Sequence, residues 1–575
     1  MKKRLLPLGF CLLSFSLLAE TQPLWPEGKI PDFQECQVAA RKGQVQEKGF
    51  DASAHRMPYL EWAEKPATPN GTCVIIIPGG GYTCVSDGKT FKDFERILRE
   101  NGVTCVSLCY RTPRPQGLPI YQSAWEDGQR AVRLVRAAAQ ERGFDPEKIG
   151  ALGVSAGSHL TVLLGTNSQK PAYAKVDETD DLPCHLNFAI PICVAYALTD
   201  GLTAPNAKAG DAPGVKLDSI FKFSKKSCPM CLFHGGNDPY SPLGSTQIYR
   251  MLRRNGIPAE LHLDPDRGHE FGDVKKFDRA IEFLRQMGFL GPLDPEVELM
   301  ARYPNDAARA FYEKEQVWPE GKMPDVQTNQ CAPYLEWHIP SNLTTKAIQI
   351  IYSGGSYMGN APDGFEVAPF RRYLNEKGMA VVTMKYRTPR PKDLAKHVTA
   401  WQDLQRAIRI VRSQAAAKGL DPDRIGIMGS SAGGHLTLMG ATSSTVPAYG
   451  AIDELDKISC KANWAVAIYP AYALTDGLSW ENKTGGNDDS AVLAPEFAFD
   501  SATCPILFIH GDADKFAAMN SVKCWERLRR MGVQGELHTL CKRPHCFQRK
   551  AVPGTGSYTW MDRIWEFMTK KGFNK

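Results

Sequence analysis

Several features are scarce in this 575-residue chain, and each scarcity removes a class of function. Beyond the N-terminal Met-Lys-Lys-Arg no block of Lys or Arg appears, and the net charge is only +6, so nucleic acid finds no electrostatic footprint. Past the N-terminus no stretch is long and apolar enough to cross a bilayer, and stable membrane insertion is not expected. The 16 cysteines show no spacing that would build a disulfide framework. Only Cys184/Cys460 and Cys228/Cys504 recur at a constant offset, beside apolar runs, which reads as buried free thiols. Cys541 and Cys546 flank a histidine, have no counterparts in the first half, and leave room for one local bridge. Neither glycine-rich loop carries the Lys-Ser/Thr that a phosphate-binding P-loop requires.

What is present is ordinary globular composition, 43% hydrophobic and 23% charged, arranged twice. The first residues, a basic start and an apolar run to Ala19, have the pattern of a secretory leader, so the mature protein is expected to be exported, periplasmic or extracellular. Leu17 at −3 is not small and leaves the cleavage point open. "LWPEGKIPD" at 24–32 returns as "VWPEGKMPD" at 317–325, and "MPYLEW" at 57–62 as "APYLEW" at 332–337. "YRTPRP" and "AYALTDG" recur unchanged, and from 110 onward the offset stays at 276 residues. A repeat of this length is a duplicated domain rather than a solenoid period. The division expected is a leader over 1–19, one domain over 20–300 and a second over 301–575.

Within each unit strands alternate with helices. "CVIIIPGGG", "GVTCVSLCYR", "LNFAIPICV", "CPMCLFHGG" and "AELHLD" read as strands, and residues 122–142 and "FDRAIEFLRQMGF" as helices. That alternation predicts an α/β fold, a mostly parallel sheet with helices on both faces and its ligand site at the carboxyl ends of the strands.

"GVSAGSHL" at 153–160 and "GSSAGGHL" at 429–436 each place a serine between glycines, after a buried run and before a helix. A backbone that turns sharply there exposes Oγ, and bulky neighbours would clash. Serine needs a base, and four histidine pairs recur at the 276 offset: His159/His435, His234/His510, His262/His538 and His269/His545. His55, His185, His338 and His397 have no partner and read as surface or core residues. The chain order Ser, acid, His points to His269 and His545, each on a loop between the last strand and the last helix. His159 suits packing, His234 precedes the acid, and His262 alternates within a strand. Asp238 and Asp514 are the favoured acids, with Asp200/Asp476 in competition. Asp177/Asp453 and Asp180/Asp456 read as solvated surface. The glycine loops "PGGGY" and "SGGSY" offer Gly80, Gly81 and Ala156, or Gly355, Ser356 and Ala432, as the oxyanion hole.

With these motifs each half resembles the α/β-hydrolase family, in particular esterases of the lipase and carbohydrate-esterase type. The resemblance implies two Ser–His–Asp sites, Ser155, Asp238 and His269 with Ser431, Asp514 and His545, working through an acyl-enzyme without metal or organic cofactor. It also implies acylated carbohydrate or another small ester as the partner. A peptidase of the prolyl-oligopeptidase type, or one copy serving only as a binding scaffold, are the competing expectations. The segments 202–227 and 478–503, with Phe221 and Phe223 against Trp480, Phe497 and Phe499, differ most between the halves, so different substrate preferences are expected.

Overall fold

The computed structural model describes residues 20–199, 215–269, 277–303, 309–475 and 491–575. The expected leader, Asp200, Asp476 and Trp480 lie outside the described residues. Each half contributes eight strands to one 16-stranded sheet. In the first half these are β1 (Glu20–Pro23), β2 (Tyr59–Trp62), β3 (Cys73–Ile77), β4 (Thr104–Cys109), β5 (Ile149–Val154), β6 (Phe188–Ile192), β7 (Met230–Gly235) and β8 (Ala259–Asp264). Their equivalents are β9 (Arg309–Gln316), β10 (Tyr334–Pro340), β11 (Ile348–Tyr352), β12 (Ala380–Lys385), β13 (Ile425–Ser430), β14 (Trp464–Ile468), β15 (Ile506–Gly511) and β16 (Gly535–Leu540). The sheet runs β1-β2-β4-β3-β5-β6-β7-β8-β16-β15-β14-β13-β11-β12-β10-β9.

The central strands are parallel within each half, and their β-branched runs are buried throughout, as a sheet covered on both faces demands. Helices α1 (Lys89–Glu100), α2 (Gln122–Ala137), α3 (Ala156–Thr166), α4 (Leu243–Arg254) and α5 (Asp278–Gln286) cover the first half. Helices α6 (Ala368–Glu376), α7 (Val398–Ala415), α8 (Ala432–Thr442), α9 (Met519–Arg530) and α10 (Gly556–Lys571) cover the second. Side chains alternate across β3. Cys73, Ile75 and Ile77 join a core with Val135, Leu160 and Leu252 that runs unbroken into Leu436 and Val522 of the second half. Val74 and Ile76 face the opposite way, onto Phe94, Leu98 and Phe283. The second half has its own core on that side, around Phe370, Trp560 and Ile564.

The halves meet where β8 pairs antiparallel with β16, Leu537 opposite Leu263 and His538 opposite His262. The seam is an approximate two-fold, so equivalent residues exchange contacts. Arg253 donates to the Asp512 carbonyl at 2.8 Å, and its equivalent Arg529 donates to the Gly236 carbonyl. Thr246 donates to Glu526 at 2.8 Å, and Arg279 pairs with Glu566 at 2.9 Å. Because β8 and β16 run in opposite directions, the carboxyl ends of the two parallel strand sets lie at opposite edges of the sheet.

Two expectations need correction. All described cysteines are free, so Cys541 and Cys546 form no bridge; Cys541 is buried, and its N–H donates to Glu260 across the seam. Asp180 and Asp456 are not solvated surface. Both side chains are 3% exposed and pair with Arg130 and Arg406 on α2 and α7, while Asp177 and Asp453 cap the short helices that follow them.

Candidate active site

Ser155 follows β5 at the N-terminus of α3 with φ 59° and ψ −122°, and Ser431 follows β13 with φ 56° and ψ −119°. A non-glycine residue held in this region costs on the order of 1–3 kcal/mol and persists only where packing fixes it. The flanking glycines are what allow it. A Cβ on Gly153 would sit 2.2 Å from the Gly157 carbonyl oxygen, and one on Gly157 would sit 2.1 Å from that of Ile77. Gly429 and Gly433 are also too tight for a Cβ in the second half, at 2.5 and 2.7 Å.

In the first half the Ser155 hydroxyl reaches His269 Nε2 at 2.8 Å, and His269 Nδ1 lies 2.9 and 3.0 Å from the two Asp238 oxygens. In the second, Ser431 lies 2.8 Å from His545 Nε2, and His545 Nδ1 lies 2.7 Å from Asp514. The sequence candidates are thus brought together in both copies, in the order nucleophile, base, acid. Burial would raise the Asp238 carboxyl, but His234 and His269 beside it hold it well below the ordinary carboxylate range. Asp514 is lowered against its own burial by His510 and His545. His234, set aside as preceding the acid, is a second support for it. Its Nε2 is 3.2 Å from Asp238, and its Nδ1 is 2.7 Å from Ser245. His510 and Ser521 repeat the arrangement, with 2.8 Å between hydroxyl and imidazole.

The glycine loops lie against the serines. A Cβ on Gly79 would come within 2.9 Å of the Ser155 Cβ, and one on Gly354 within 2.7 Å of the Ser431 Cβ. Gly80 and Gly81 have φ of 126° and 64°; Gly355 and Ser356 have 109° and 55°. Ser356 therefore keeps the left-handed backbone of Gly81 while carrying a side chain. Among the described residues the N–H groups of Gly80, Gly81, Gly355 and Ser356 donate to no backbone carbonyl. Ala156 and Ala432 open the helices behind the serines, where the helix dipole favours negative charge.

His159 packs, as its place on the helix suggests. Its Nδ1 is 2.8 Å from the Tyr82 hydroxyl, Phe221 lies edge-on at 5.2 Å, and burial pushes the imidazole down to about 3. His435 meets Tyr357 at 2.8 Å and Phe497 at 5.0 Å, so these loop aromatics serve as packing.

Sequence reasoning missed two groups. The unchanged "YRTPRP" contains Arg111 and Arg387, each under 3% exposed and locked onto Asp127 or Asp403, which in turn accept from Trp25 at 2.9 Å or Trp318 at 2.7 Å. Three separate repeated motifs thus converge on one buried arginine per half, which pairs with Asp127 and Glu126 in the first and with Asp403 in the second, and their joint recurrence was the available signal. The second group distinguishes the sites. A cavity of about 630 Å³ opens on Ser155 and His269, lined also by Thr90, Phe91, Phe94 and Tyr240. Near Ser431 the Tyr469 hydroxyl donates to Glu366 at 3.0 Å and contacts Gln548, its ring 4.8 Å from that of His545. At the 276 offset Tyr469 answers to Cys193, and Glu366, two residues beyond the Asp-Gly pair shared by both halves (87–88 and 363–364), answers to Thr90. Glu366 accepts from the Gly354 N–H at 2.8 Å, and burial raises its carboxyl.

Two segments, residues 62–251 and 335–527, match the family model described as BD-FAE. An acetylxylan esterase of Xylanibacter ruminicola is 25% identical over 240 residues, covering 39% of this chain and 46% of its own. Endo-1,4-beta-xylanase B of Butyrivibrio fibrisolvens is 27% identical over 202 residues, covering 34% of this chain and 31% of its own. The chain spans less than half the length of either relative. Among solved structures, an acetyl ester-xyloside bifunctional hydrolase from Caldicellulosiruptor lactoaceticus aligns at 23% identity and a TM-score of 0.37, covering 48% of this chain and 98% of its own.

Proposed function

Since the chain belongs in both of its halves to the BD-FAE family, we propose that it is an exported serine carboxylic-ester hydrolase with two Ser–His–Asp sites. Its substrates are acetyl or other small acyl esters of carbohydrate. In the first site Ser155 Oγ attacks the ester carbonyl while His269 takes its proton, and Asp238 holds the imidazole and the imidazolium it becomes. The N–H groups of Gly80, Gly81 and Ala156 receive the oxyanion. Collapse expels the alcohol, which leaves with the proton from His269. Water, deprotonated by the same imidazole, then cleaves the acyl-enzyme to carboxylic acid and free Ser155. Ser431, His545, Asp514 and the N–H groups of Gly355, Ser356 and Ala432 do the same in the second.

One observation carries this reading: the same serine–imidazole contact, 2.8 Å, occurs in both halves, each backed by a buried carboxylate. The carbohydrate part rests on the acetylxylan esterase relative. Turnover of an aryl acetate and of acetylated xylan, set against an aminoacyl anilide, tests it. Preference for the anilide would replace the esterase with a peptidase. N-terminal sequencing of the mature protein tests export, with removal of a leader near residue 19 expected.

A further inference from the structure

His397 has no histidine counterpart in the first half, where position 121 is a tyrosine. It is 7% exposed, and its Nδ1 is buried without a hydrogen-bond partner. That nitrogen lies 4.0 Å from Glu496 Oε1, and the same oxygen lies 3.0 Å from Nε2 of the fully buried His435. One donor atom from each of the three residues lies within 4.8 Å of the other two. Glu496 too belongs to the second half alone, its equivalent being Ile220.

We propose that His397, His435 and Glu496 form a binding site for a divalent cation of the zinc type, one per chain and in the second half only. Two imidazoles and a carboxylate are a donor set that such ions prefer. Metal–ligand bonds of about 2.0–2.2 Å at tetrahedral angles require donors about 3.3–3.5 Å apart. The separations of 3.0 and 4.0 Å bracket that value. The groups behind the donors are those a metal site needs. Tyr357 faces His435 Nδ1 at 2.8 Å, which fixes the ring and leaves Nε2 directed at the cluster. Burial lowers His397 to about 4 and also lowers His435. Glu496 is held at about 2 against its burial by the hydrogen bond from His435. The Lys396 ammonium lies over the Tyr472 ring at 5.0 Å, and the Glu496 charge acts on it through space. Three protein ligands leave a position for water or a hydroxyl, beside the helix that follows Ser431. The ester chemistry itself does not use this cation.

The test is titration of the chelator-stripped, full-length protein with Co²⁺, followed by visible absorption, and with Zn²⁺ by calorimetry. One ion per chain is expected. His397→Tyr and Glu496→Ile install the first-half residues at the same positions and should weaken binding at least about 100-fold. Glu496→Gln, which keeps the hydrogen bond to His435 and removes the charge, covers the case in which the others fold poorly and should also lose most of the affinity. Absence of cobalt bands and of heat, or one-to-one binding that all three variants leave unchanged, would overturn the proposal.

Discussion

His262 and His538, 276 residues apart in the chain, face each other across the seam with their Nδ1 atoms 3.0 Å apart. Only one of those nitrogens can carry the proton between them, which makes the near-symmetric pair electrically unsymmetric. Each Nε2 meets a glutamate of its own strand, Glu260 at 3.0 Å and Glu536 at 2.9 Å. Lys570 binds Glu536, favouring its ionised form, whereas burial pushes Glu260 up to about 7. A consistent chain follows: protonated Glu260 donates to His262, His262 donates to His538, and His538 donates to Glu536. Burial lowers both imidazoles well below the ordinary range, in keeping with two neutral rings.

This seam makes stability depend on pH through two opposing groups. A folded carboxyl raised above its unfolded value contributes stability that is full below about pH 4.5 and lost as pH rises through about 7. The depressed histidines act oppositely, losing stability as pH falls below about 6.5. Glu260→Gln supplies a permanent donor to His262. Melting temperatures from pH 5 to 9 should show the variant's loss through pH 7 flattened relative to wild type. Superimposable profiles would remove Glu260 from the account.

The buried Arg111–Asp127 and Arg387–Asp403 pairs predict large structural effects away from the chemistry. Asp403→Ala strands a guanidinium and a Trp N–H in the core and should cost about 3–5 kcal/mol in denaturant unfolding, whereas Asp127→Ala leaves Arg111 paired with Glu126 at 2.8 Å and should cost less. A loss below about 1 kcal/mol would mean that the site rehydrates.

Much of the site is legible in the sequence because covalent neighbours dictate it. The strand, the glycine-flanked serine and the helix form one continuous stretch, and the duplication leaves four histidine pairs, from which the chain order Ser, acid, His selects His269 and His545. The seam is not legible. "AELHLD" and "GELHTL" bury Glu260, His262, Glu536 and His538 in strands, and these polar groups find partners only in each other. The short strands β1 and β2 escape notice for a related reason. "YLEW" recurs as a motif, but four residues carry too little periodicity to declare a strand. Asp180 reads as surface because its partner Arg130 lies 50 residues away.

Tyr469 and Glu366 predict that the second site takes smaller acyl groups than the first. In a Ser155→Ala background, Tyr469→Cys with Glu366→Thr, the first-half residues, should raise kcat/KM on four- to six-carbon acyl esters about tenfold or more relative to acetate, since each accommodated methylene is worth roughly 1–3 kcal/mol. An unchanged acyl-length profile would place the acyl group elsewhere.

Asp238→Asn and Asp514→Asn should each lower kcat of their own site by about 10⁴, because the amide reverses the preferred imidazole tautomer. Measured in Ser431→Ala and Ser155→Ala backgrounds respectively, a loss under tenfold would leave the acid unassigned.

The central claim is that both serines work, independently, at opposite edges of one sheet. Ser155→Ala and Ser431→Ala should each abolish one site and spare the other, and the double variant should fall by about 10⁴–10⁶. The most direct measurement is titration of the whole chain with a fluorophosphonate, followed by peptide mapping. The account predicts two labelled serines per chain, Ser155 and Ser431. A single label, with Ser431→Ala as active as wild type on every ester tried, would contradict it and leave the second half a scaffold.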